Sequence, residues 1–168
     1  MSANLEVKIQ LGLDELRSVR QHMTPLLDRV AQDGADAQAT EIERAAACAM
    51  LHSFYTEIEK ILKLIARDWD GHLPSSETWH RELLKQMAAT TENRPAVFSL
   101  DILEVLGEFL AFRHLFRGAS IALMRWNKLA PLLTKVDPTH NEFQRELALF
   151  QCYSQILQPS YVVAQPSA

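Results

Sequence analysis

Apolar residues recur by threes and fours almost throughout this chain, the period of helices packed on one side. Ile9, Leu13, Leu16, Met23, Leu27 and Val30 form the first such row, with Arg20 as its one interruption. Leu5, Val7, Ile9, Leu11 and Leu13 also alternate as a strand would. No partner strand can be found elsewhere, so the segment reads as helix. Pro25 is expected to kink or restart it, with Thr24 capping the second piece. Residues 35–70 predict the longest helix, Ala-rich and then Ile/Leu-rich at its packing positions. The stretch "GHLPSSE" breaks it, and Ser75 or Ser76 offers an N-cap with Glu77 in the next first turn. "TWHRELLKQMAA" is a further helix, and "TTENRPAVF" a loop by its Pro and polar content.

Ser99 then caps "LDILEVLGEFLAFRHLFR", whose Asp101 and terminal arginines suit the helix dipole. That helix is apolar nearly all round and is expected to be the central, buried one; if its basic residues only stabilise the helix C-terminus, Gly118 is its left-handed stop. A short helix "WNKLAPLLTK" follows, and Asp137-Pro138 opens a last one with Phe143, Leu147, Phe150 and Leu157 on one face. Residues 158–168 read as a frayed, flexible tail. With neither internal repeat nor interior linker, residues 1–168 predict one all-α domain, a helical bundle of five to six helices.

Composition narrows the function. At 168 residues and 48% hydrophobic the chain can bury one sizeable core. No apolar run approaches the ~20 residues of a membrane span, and Glu6, Lys8, Asp14 and Glu15 exclude the apolar heart of a signal peptide. Cys48 and Cys152 lack metal-ligand spacing and read as reduced thiols, so a cytoplasmic setting is expected. The few glycines form no phosphate-cradling loop. Six histidines invite a metal reading, but none of their spacings matches a metal motif. His72 and His80 are expected in a polar loop and on a partly exposed helix, His22 and His140 at the surface, and His52 as a hydrogen-bonded core residue. No metal or cofactor is expected.

The net charge of −4 argues against a surface built for non-specific nucleic-acid binding. Its distribution does not. From Arg113 to Val136 there are five basic residues, Arg113, Arg117, Arg125, Lys128 and Lys135, and no Asp or Glu. Arg113 and Arg117 lie four apart, on one helix face, and two guanidiniums at that spacing can hold a phosphate. A solvated basic face, or basic residues stabilising a helix C-terminus, is the plainer alternative. It explains Arg113 less well, since this residue sits one turn deeper between Phe112 and Phe116.

"LHSFYTEIEKILKLIARDWDGHLPSSETWHRELLKQM", followed by "FRHLFR" and "RWNKLAPLL", resembles the HepT-like group of HEPN-domain proteins over residues 45 to 135. The resemblance implies a helical bundle that dimerises, and a metal-independent endoribonuclease acting as a toxin beside a small MNT-type nucleotidyltransferase antitoxin. The family signature is R-x4-H, often extended to R-x4-H-x-Y. Arg113 matches its arginine, His114 the polar residue that follows, and Arg117 a frequent basic position. The histidine and tyrosine would fall at 118 and 120, where this chain has Gly118 and Ser120. Trp126 and Leu129 keep the register without a gap. Arginine can neutralise charge on a phosphorane-like transition state, but glycine can transfer no proton.

The resemblance therefore implies a crippled nuclease. It would retain an RNA- or phosphate-binding groove of Arg113, Arg117, Arg125 and Lys128. With Ser120 in the tyrosine's place, no tyrosine adenylylation is expected at the motif. Two alternatives stand beside this reading. One is a non-catalytic interaction module; the other is an active, divergent ribonuclease whose catalytic pair is Arg113 and His114. In a two-fold dimer the arginines of both copies would approach, with Glu57 and Glu59 as candidate neutralisers.

Overall fold

The computed structural model describes residues 3–35, 37–118 and 124–157. Six α-helices carry them: α1 (Ala3–His22), α2 (Thr24–Asp33), α3 (Glu41–Ile65), α4 (Trp79–Ala88), α5 (Leu100–Gly118) and α6 (Trp126–Leu157). A π-turn, Ala66–Asp70, extends α3 until Gly71 ends it in the left-handed conformation, at φ 70°. No strand occurs among the described residues, so the all-α expectation holds. Ser120 and the expected tail, residues 158–168, lie outside them.

α3, not α5, is the central helix. Ala47, Cys48, Leu51, Phe54, Tyr55, Ile58, Ile61, Leu62 and Ile65 are fully buried along it, and it packs against α1, α4, α5 and α6. α5 buries Ile102, Leu103, Leu106, Phe109, Leu110 and Phe112 but leaves Leu100 and Leu115 in solvent. Apolar residues all round a helix therefore mark a helix with one outward face here, not the axis of the bundle. α3 starts at Glu41, later than its sequence pattern suggests, because Thr40 caps it. The Thr40 hydroxyl accepts from the Glu43 N–H at 3.2 Å, and the Glu43 carboxylate accepts from the Thr40 N–H at 2.7 Å.

α1 runs close enough to α3 that a Cβ on Gly12 would come within 2.8 Å of Ile61 Cγ1. Arg20, the interruption in the first apolar row, reaches across to α6. Its Nε and Nη2 donate to the two Asp137 carboxylate oxygens at 2.7 and 2.8 Å. That fork draws Arg20 out of the core row and fixes α1 against α6.

Several expected helix ends differ. Thr24 is the first residue of α2 and not its cap; Met23 holds the cap position, without a side-chain hydrogen bond. Neither Ser75 nor Ser76 caps α4, which begins at Trp79 after Thr78. The Ser76 and Thr78 hydroxyls instead donate to Glu82 at 2.6 and 2.9 Å. Ser99 does cap α5, accepting from the Ile102 N–H at 3.4 Å.

The two helices expected around Asp137-Pro138 are one. α6 runs through Pro131 and Pro138, because its buried row continues on both sides, through Leu133, Val136, Phe143 and Leu147. Packing of that row outweighs the hydrogen bonds the two prolines remove. The continuity also moves His140, expected at the surface, into the buried row, where its Nε2 has no hydrogen-bond partner.

Candidate anion-binding site

α5 delivers the basic residues, and the direction of its side chains decides what each can do. A long helical side chain leans back toward the helix N-terminus, so Arg113 extends down along α3 into the bundle. There it meets Glu59. This acid occupies a buried row of α3 between Tyr55 and Leu62 and is only 2% exposed. Arg113 Nη2 lies 3.7 Å from Glu59 Oε1, and Lys63 Nζ lies 3.5 Å from the same oxygen. Of the two acids considered as neutralisers, Glu59 is the one at the arginine. Glu57 pairs with Lys60.

α4 supplies the third member. His80, expected on a partly exposed helix, is 6% exposed, because the first turn of α4 packs it under Trp79 and against α3 and α5. Its Nδ1 is 2.5 Å from Glu59 Oε2 and its Nε2 is 3.2 Å from Arg113 Nη1. A guanidinium can only donate, so Nε2 must accept, and Nδ1 carries the proton given to Glu59. The ring is then neutral, and its contact with Glu59 is a hydrogen bond to a carboxylate. Burial holds the imidazole below its ordinary pKa; Glu59 opposes this, and Arg113 and His114 reinforce it. Lys63 sits over the Trp79 ring and closes the cluster on its outer side.

The remaining residues of the basic helix end face outward. His114 is exposed and meets the edge of His80, ring centroids 5.3 Å apart. Arg117 is exposed, with no acidic partner among the described residues. His52, expected as a hydrogen-bonded core residue, is half-buried and tilted against Phe116. Burial first, then Arg113 and Arg117, lower its pKa. Gly118 is the last residue of α5 and does not adopt a positive φ, so the expected left-handed stop is absent. Among the described residues, a Cβ there would meet nothing within 4 Å.

Arg125 and Lys128 are exposed at the start of α6. Arg125 lines a separate cavity of about 320 Å³ with Arg44, Trp126 and Asn127. The structure thus joins Arg113 and His114 to Glu59 and His80, leaves Arg117 on the same helix end, and places Arg125 beside Arg44. Tyr55 lies within the field of Glu59 and Arg113. Its hydroxyl is buried without a hydrogen-bond partner among the described residues, and burial raises its pKa. No group of three or more His, Cys, Asp or Glu suited to a metal occurs among the described residues, and no helix there is long and apolar enough to cross a membrane.

Sequence reasoning missed His80, and it named Glu59 only as a neutraliser across a dimer axis, not as the buried partner of Arg113 within one chain. One signal was available. Leu51, Tyr55, Ile58, Leu62 and Ile65 step by threes and fours along α3, and Glu59 falls in that row. A carboxylate there must be buried, and a buried carboxylate requires partners.

The protein is thus an α-helical bundle whose basic helix end is tied to a buried acid. The chain belongs to the HepT-like protein family, whose family model matches residues 45–154. No curated protein and no solved structure matches it.

Proposed function

We propose that the protein is a HepT-like, HEPN-type RNA-binding member of a toxin–antitoxin pair. Phosphate groups are held at the C-terminal end of α5, and the imidazole of the ordinary ribonuclease motif is missing. One observation carries this reading. Arg113 and Arg117 stand one turn apart at a helix end followed by Arg125 and Lys128, with no acid between residues 113 and 136. A surface placed there only to balance a helix dipole needs the last turn alone. Position 118, where the family resemblance puts the proton-transferring histidine, is an exposed glycine. Binding without efficient cutting follows. The natural partners are a second copy of the chain and an MNT-type nucleotidyltransferase; exposed Leu100 and Leu115 on α5 support the first.

The test is binding of a short oligouridylate across a salt series. Each phosphate contact should contribute about −0.7 to the slope of log K against log salt. Arg117→Ala should weaken binding several-fold and make the slope shallower. Absence of binding at low salt would overturn the reading and leave a protein-interaction module.

A further inference from the structure

We infer that Glu59 and His80 are positioning residues for Arg113: while His80 is neutral they hold its guanidinium inward, and protonation of His80 releases it to phosphate. The inference rests on the RNA-binding reading and adds proton linkage to it. Arg113 directs Nη1 at His80 and Nη2 at Glu59, and its side chain is 13% exposed. Its Nε–H is buried with no hydrogen-bond partner among the described residues. A guanidinium in that posture spends its charge on the protein interior, although it sits one turn from the exposed Arg117.

The hold depends on two properties of the pair. Glu59 supplies negative charge, and His80 Nε2 supplies a lone pair. When Nε2 takes a proton from solvent, the lone pair is lost and the new cation claims the charge of Glu59. Arg113 then faces a donor and a like charge, and its inward position is no longer favoured. The groups facing His80 are Glu59 and, behind it, Lys63 on α3, with Arg113 and His114 on α5. From the π-turn, Asp70 meets only the far end of α4, at Gln86. Glu59 is thus the one acid of this cluster, and each added proton leaves one more positive charge for an anion to meet.

Reciprocity follows: an anion bound to Arg113 must favour the protonated ring by the same free energy. A simple substitution tests the linkage. In His80→Gln the amide can still bridge Glu59 and Arg113, but it cannot take up a proton.

The experiment measures binding of an oligouridylate carrying a pH-insensitive rhodamine dye, from pH 5.5 to 8.0 at constant ionic strength. Uracil does not titrate in that range. Thermal melts confirm that each variant is folded. In the wild type log K should rise as pH falls, by up to about one unit per pH unit, the limit for one linked proton. His80→Gln should flatten the profile, and Arg113→Ala should flatten it equally. Glu59→Gln removes the inward charge and should bind severalfold tighter than wild type at pH 8.0. A wild-type profile independent of pH, a His80→Gln profile superimposed on it, or full pH dependence in Arg113→Ala would overturn the inference while RNA binding stands. No binding at any pH removes the RNA-binding reading, and the inference with it.

Discussion

Replacing Gly118 with histidine tests whether a single missing imidazole separates this chain from a working ribonuclease. A left-handed glycine would have made the change costly, by roughly 1–2 kcal/mol of backbone strain. The structure removes that objection, since Gly118 is not at positive φ and its Cβ would meet none of the described residues within 4 Å. Helix propensity then favours histidine over glycine by a few tenths of a kcal/mol, so the variant should be at least as stable as the wild type. The chemical effect is much larger. A positioned general base is typically worth about 10²–10⁴-fold, or about 3–5 kcal/mol of barrier at 1.36 kcal/mol per tenfold.

The assay follows cleavage of a labelled oligouridylate with EDTA present, on denaturing gels. Wild type should cut at the buffer rate and Gly118→His at least about a hundredfold faster. Gly118→His combined with Arg113→Ala should lose most of that gain, because the phosphorane-like charge is no longer met. A folded Gly118→His chain that binds RNA as the wild type does and cuts no faster would refute the reasoning. Proton transfer would then not be the step at which the site falls short.

Other perturbations probe the frame that carries the site. Arg94, its side chain 0% exposed, donates to both Asp70 oxygens and to the Ala89, Pro95 and Gln86 carbonyls. Asp70→Ala strands that buried cation and should cost about 3–5 kcal/mol. Thermal unfolding should drop by roughly 6–20 °C, and a loss below about 1 kcal/mol would show that the pair is not buried in solution. His52, His80 and His140 all have pKa values lowered chiefly by burial. The unfolded chain therefore binds protons more readily than the folded one, and stability present above about pH 6.5 should decline as pH falls through the lowered folded values. A melting temperature equal at pH 7.5 and pH 5.5 would contradict this. The glycines of α1 and α5 should respond in opposite ways. Gly107→Ala meets nothing within 4 Å and should gain about 0.5–1 kcal/mol in urea unfolding. Gly12→Ala must displace Ile61 and should lose stability, since overpacking at about 1–3 kcal/mol exceeds the propensity gain.

The local elements were legible in the order of residues alone. Periodic apolar rows in α1, α3 and α5, and the Ser99 cap, are decided by neighbours within a turn or two, so they are legible along the chain. The family resemblance over residues 45 to 135 and the basic run after Arg113 are likewise properties of order and composition. Which helix is central was settled by packing between helices, because an all-apolar α5 and a half-polar α3 differ in what packs on them, not in their own period. That packing also decided that α6 continues through Pro138, where the burial of Val136, His140 and Phe143 outweighs a local breaking signal. The cluster at Arg113 is the clearest case. Glu59, His80 and Arg113 lie on three helices, 21 and 33 residues apart in sequence. No spacing rule joins them, since their association depends on the angle at which α4 crosses α3 and α5. A buried charge is stable only where its partners converge, and that convergence is a property of packed helices.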